Sequence, residues 1–157
     1  MENVKINNWD GNINRFKDFP SDHALKAYEE EYYVEAVVVL HGFLESQLRE
    51  NLLAFTSRLK ILPEKVWDTN EKLDFRNLSN ILFILQLIDD NQVGVLNGIN
   101  SLRNEIVHKY FFEPYNEAYC GVSNKKFASV FKPAYNLSFK LLEKIEDMYS
   151  EVDTVEE

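Results

Sequence analysis

Between residues 22 and 59 the apolar residues Val34, Val37, Val38, Leu44, Leu48, Leu52 and Phe55 recur close to every 3.6 positions, and no other feature constrains the fold as strongly. His41 falls on the same stripe. The run Val37-Val38-Val39-Leu40 is apolar on every side, so the helix it forms must be covered on more than one face. Pro20 followed by Ser21-Asp22 reads as a helix start with a capping side chain, and Tyr32-Tyr33 marks a break between a short first helix and a long second one. Pro63 ends the region, and a short helical turn is expected from Pro63 to Trp67.

The rest of the chain repeats the pattern. A third helix is expected from about Phe75 to Ile88, with Asp89-Asp90-Asn91 as the turn after it. A fourth runs from about Gln92 to Lys109, with Val93, Leu96, Ile99, Leu102 and Ile106 as its stripe. Pro114, Asn116 and Gly121 make residues 112 to 122 a loop. A fifth helix, from about Asn124 to Tyr149, is amphipathic through Phe127, Val130, Phe131, Ala134, Leu137, Leu141 and Ile145, with Pro133 expected to kink or split it. Only 5 glycines and 4 prolines occur in 157 residues, which argues against an all-β fold with many turns. The expectation is all-α: an up-and-down bundle of four main helices plus short pieces. One helical domain spans 21–150, between an N-terminal segment at 1–20 with no clear period and an acidic tail at 151–157.

Composition narrows the function classes. The net charge of −9 opposes a large nucleic-acid footprint, because phosphate binding favours a basic surface. It leaves room for a small local basic site, or for a partner with a basic surface. The single cysteine, Cys120, has no internal disulfide partner and no base beside it, which fits a reducing, cytoplasmic setting. The N-terminus lacks the apolar core of a signal peptide, and the longest apolar run, ILFILQLI at 81–88, is too short to span a bilayer. No glycine-rich phosphate loop and no serine elbow occurs, and Lys125-Lys126-Phe127 is too small for a nucleic-acid patch.

The chemistry concentrates near the end of the fourth helix, in Arg103, Asn104, His108 and Tyr110. Asn104 and His108 are one turn apart on one face, whereas Arg103 and His108 differ by roughly 140° around the axis. Histidine exchanges protons near neutrality, arginine offers a fixed charge and a fork for phosphate oxygens, and asparagine can orient either. Two such helices facing each other across a two-fold axis would supply two of each group, enough to act on a phosphodiester without a metal. A plain structural reading also exists. In it Arg103, Glu105 and Lys109 form a solvated face, Tyr110 closes a core edge, and His108 sits at a helix C-terminus. His41 and Glu45, one turn apart, would begin a metal site but lack a third ligand. They are better read as a core or interface histidine paired to a carboxylate, which would stand behind Arg103 should the second and fourth helices pack together.

The pattern R-N-x-x-x-H, here Arg103, Asn104, Glu105-Ile106-Val107 and His108, resembles the signature of the HEPN superfamily. The stretch YYVEAVVVLHGFLESQLRENLL at 32–53 is similar to that family's long second helix, and the resemblance extends over about residues 22 to 150. It implies a helical bundle, a homodimer and a metal-independent endoribonuclease that needs no cofactor. In that scheme a ribose 2′-hydroxyl attacks the adjacent phosphate and leaves a 2′,3′-cyclic phosphate. His108 would be the acid or base, Arg103 the clamp on the developing charge, and Asn104 the group that holds the geometry. The longer R-N-E-I-V-H-K-Y is similar to HEPN toxins paired with a minimal nucleotidyltransferase antitoxin, which implies Tyr110 as an adenylylation site. A toxin or defence ribonuclease is therefore the first expectation. A non-catalytic HEPN-like module for dimerisation or protein binding is the alternative, and the acidic surface favours it.

Overall fold

In the computed structural model, residues 17–59, 61–109 and 122–153 are described, and they form six helices and no strand. These are α1 (Pro20–Glu29), α2 (Tyr33–Ser57), α3 (Pro63–Asn70), α4 (Phe75–Ile84), α5 (Asp90–Lys109) and α6 (Asn124–Asp153). The fold is an all-α bundle, and α2 is its central element: α1, α3, α4, α5 and α6 all pack against it. Leu40, Leu44 and Leu48 of α2 are fully buried, and so are Leu78 and Leu82 of α4, Leu96 and Ile99 of α5, and Phe131 and Leu141 of α6 within about one percent. The core is built from most of the stripes that the period marks out, but Val38 is 43% exposed, so the Val37–Leu40 run is not covered on every side.

Cross-helix contacts fix the directions. Tyr33 stacks on Phe127 at 5.2 Å, Gln47 Nε2 donates to Ser138 O at 2.8 Å, and Asn51 Nδ2 donates to Leu141 O at 3.3 Å. The numbers rise together, so α2 and α6 run parallel. Glu105 pairs with Lys126 at one end of α5, while Lys144 donates to Leu87 O just beyond its other end, so α5 runs antiparallel to α6. Phe19 with Phe43 and Tyr28 with Tyr33 set α1 antiparallel to α2. The C-terminal end of α5 therefore lies at the end of the bundle where α2 and α6 begin.

Helix boundaries depart from expectation where local chemistry takes over. The expected cap at Ser21-Asp22 is absent: α1 opens on Pro20 at its first turn, Phe19 is the N-cap, and the buried Ser21 Oγ has no partner among the described residues. The break after α1 comes at Glu31, in left-handed backbone with φ 65°, where Tyr32 N donates to Ala27 O at 2.8 Å and Glu31 N to Tyr28 O at 3.1 Å. The same motif ends α4. Gln86 has φ 58°, Leu87 N donates to Leu82 O and Gln86 N to Phe83 O, so the chain turns before Asp89. Asp89-Asp90-Asn91, expected as the turn, instead starts α5. Gln92 N donates to Asp89 Oδ1 at 2.8 Å and Asp89 N donates to Gln92 Oε1 at 2.9 Å, a reciprocal cap.

Pro133 does not split α6, which is one helix of 30 residues. Pro133 and Ser129 are both exposed, so water can take the bond that the proline nitrogen cannot donate, while Phe131, Ala134 and Leu137 stay packed. No helix among the described residues is long and apolar enough to cross a membrane.

Candidate functional site

At about 100° per residue, Asn100, Arg103, Asn104, Val107 and His108 share an arc of roughly 140° on α5. The opposite side carries Ile99, Leu102 and Ile106, which are buried in the core. The apolar stripe thus fixes which residues face outward near the end of α5. Arg103 and Asn104 are half-buried, and His108 is exposed on the last turns of the helix.

Arg103 Nη1 donates to Asn104 Oδ1 at 3.1 Å. Around the axis Asn104 lies between Arg103 and His108, so this bond draws the guanidinium towards the histidine's side. No carboxylate pairs with Arg103 among the described residues. Glu105, the nearest acid in sequence, is taken by Lys126 Nζ of α6. A half-buried arginine without a carboxylate keeps its fork free for an external anion.

Behind this arc sits His41 of α2, only 7% exposed. Its Nε2 lies 3.0 Å from Asn100 Oδ1, and its ring stacks on Phe75 of α4 with centroids 4.3 Å apart. A carboxamide oxygen only accepts, so Nε2 carries the hydrogen and the ring is held in one tautomer. Burial holds this imidazole below its ordinary value. The charge of Arg103 pushes the same way, against the Asn100 bond and the charge of Glu45. The structure thus brings His41 within electrostatic reach of Arg103, under the arc and not on it.

Glu45 is not the partner of His41 that the one-turn spacing suggested, because Asn100 takes that ring and an arginine takes the carboxylate. Its Oε1 accepts from Arg49 Nη2 at 2.7 Å, and Arg49 also donates to Leu73 O at 2.7 Å and to Asn70 O. Glu45 therefore serves an arginine that anchors the end of α3, while its charge still reaches His41. Among the described residues no three His, Cys, Asp or Glu side chains gather as a metal site. Tyr110 and Cys120 lie outside the described residues.

Asn100 is the site residue that sequence reasoning missed. Its signal was its place one turn before Asn104 on the same stripe, but a lone asparagine carries no chemistry until its partner is known. His23, distant in sequence from the other histidines, is paired with Glu35 at 2.7 Å across α1 and α2. No protein-family model, no curated protein and no solved structure matches this chain.

Proposed function

We propose that this chain is a metal-independent endoribonuclease of HEPN type that works as a homodimer, in the role of a toxin or another defence component. The observation that carries the reading is the outward arc of α5. There an arginine without a carboxylate partner among the described residues is turned by Asn104 towards an exposed histidine. Arg103 and His108 are about 7.5 Å apart along the axis, a span on the scale of one phosphodiester with its flanking riboses.

The reaction needs two proton transfers and one charge clamp. A 2′-hydroxyl loses its proton to a neutral His108 as its oxygen bonds to phosphorus. The P–O5′ bond breaks, and the leaving oxygen receives a proton from the protonated His108 of a second copy. The products are a 2′,3′-cyclic phosphate and a 5′-hydroxyl. Arg103 offsets the charge that grows on the non-bridging oxygens, with Asn104 holding its fork. Adenylylation of Tyr110 by a partner nucleotidyltransferase would add a bulky anion two positions from His108 in sequence.

The alternative is a non-catalytic module of the same shape, favoured by the net charge of −9. One experiment separates the two: the purified protein is incubated with labelled RNA in EDTA, beside His108→Ala and Arg103→Ala. Cleavage by the wild type that leaves cyclic phosphate ends and disappears in both variants supports the nuclease. An intact protein that cleaves no RNA leaves the binding module. Intact mass after co-expression with a candidate nucleotidyltransferase reads an added AMP on Tyr110.

A further inference from the structure

The end of the bundle away from His108 carries a second surface of different character. Where α2 and α6 finish, an open groove of about 500 Å³ runs between them and α3. Leu53, Ile61, Val66, Trp67 and Tyr149 line it. Large apolar side chains of its lining are left in solvent: Ile61 is 44% exposed, Trp67 53% and Tyr149 38%. Contiguous apolar surface of this kind marks an interaction site more often than a free face.

Both aromatics have their polar atoms already engaged. Trp67 Nε1 donates to Glu71 Oε1 at 3.0 Å, and Tyr149 Oη donates to Glu50 Oε1 at 2.5 Å. Burial and Glu50 together push the Tyr149 hydroxyl up to about 12, so it keeps its hydrogen at neutral pH. Neither ring has a polar handle left for a ligand, so each offers an apolar, electron-rich face.

The rim is acidic. Glu64, Asp68 and Glu71 of α3 and its C-cap follow one another at one-turn spacing, so they form a single stripe beside the groove. Glu64 and Asp68 line it directly, and the described lining residues of this groove include no lysine or arginine. Arg49, in the adjoining cleft that shares Leu53 and Trp67, is occupied by Glu45 and two backbone carbonyls. An apolar floor, two aromatic faces and a carboxylate rim fit a ligand with an apolar stripe flanked by cations.

We propose that this groove docks a basic amphipathic helix of a partner protein, with leucine-like side chains on the floor and lysines or arginines against Glu64 and Asp68. The surface is independent of the nuclease reading, since α2 and α6 end here and α5 ends at the opposite pole. A membrane surface or a second copy of this chain would match the apolar floor but not the one-sided acidic rim, because each presents anionic groups of its own.

The test uses the full chain and a fluorescein-labelled 18-residue synthetic helix with leucines at i, i+3, i+4 and i+7 and lysines on both flanks. The controls are the same composition scrambled and a version with glutamate in place of lysine. Saturable 1:1 binding of the lysine helix is expected by anisotropy, at least tenfold weaker for Ile61→Asp and for Trp67→Ala. Glu64→Gln combined with Asp68→Gln should weaken it several-fold and flatten its salt dependence. Ile61, Glu64 and Asp68 are exposed, so these variants keep the fold, which helical circular dichroism checks. The proposal is overturned by absence of binding, by equal binding of the scrambled or glutamate helix, or by unchanged binding in Ile61→Asp. A wild-type dimer that Ile61→Asp turns into a monomer would assign the groove to a second copy and overturn it as well.

Discussion

His41 Nε2 donates to Asn100 Oδ1 at 3.0 Å, joining the buried face of α2 to the outward arc of α5. The bond spans 59 positions of chain and sits directly behind Arg103's turn of helix. It holds α5 in rotation as well as in place, and rotation decides which side chains the arc presents.

A pH dependence follows from His41. Burial, with Arg103 acting the same way, holds its folded-state value below the ordinary imidazole value of about 6.5. On acidification the unfolded chain therefore binds a proton on His41 before the folded chain does. Stability rises with pH wherever the unfolded state binds more protons. The contribution is thus intact above about pH 6.5 and is lost as pH falls through the folded-state value. His41→Gln should flatten the fall in Tm between pH 7 and pH 5 relative to wild type. Parallel Tm profiles for the two proteins would refute the assignment.

Within the nuclease reading, Asn104 orients and does not transfer protons. Asn104→Ala should lower kcat by about tenfold, against the 10²- to 10⁴-fold expected when an acid or base such as His108 is removed. Arg103→Lys should stay strongly impaired, since an ammonium keeps the charge but not the fork. Single-turnover cleavage in EDTA measures all three, and full activity in Arg103→Lys would remove the clamp role.

Among the described residues, two other than glycine hold left-handed backbone, Glu31 and Gln86. Each closes a helix where glycine is strain-free. Gln86→Gly should stabilise the protein by up to about 1 kcal/mol, because it removes the left-handed strain at a small entropic cost. Urea unfolding with an unchanged m-value is the measurement, and a loss of stability would contradict the strain argument.

Buried polar and apolar positions of α2 should respond differently to truncation. Leu48→Ala removes fully buried methyls and should cost about 2 to 5 kcal/mol. Asn51, also fully buried, bonds two helix carbonyls while its own Oδ1 has no partner among the described residues. Asn51→Ala discards that orphan acceptor along with the bonds, so about 1 kcal/mol is expected. Denaturant midpoints for the pair should therefore differ by more than the change in side-chain volume alone would give.

Glycine and proline are the punctuation a sequence reading trusts, and the chain withholds it at two boundaries. Gln86 adopts a backbone that its type does not advertise, so the end of α4 read as four residues too long and the cap at Asp89 read as a turn. Pro133 errs the other way: proline is a breaker in general, but here its gap in the hydrogen bonding faces water. Arg103, Asn104 and His108 could be placed on α5 from spacing alone, because angular position within one helix depends only on the 3.6 period.

The sequence by itself determined the all-α class, the stripes that became the core and the outward arc near the end of α5, since each follows from a periodicity read within one segment. The tertiary structure decided the pairings: Asn100 with His41 beneath it, Glu45 with Arg49, Glu105 with Lys126, and the apolar groove where α2, α3 and α6 meet. These depend on which faces meet between helices tens of residues apart. That choice rests on the packing of the whole core, which no local pattern encodes.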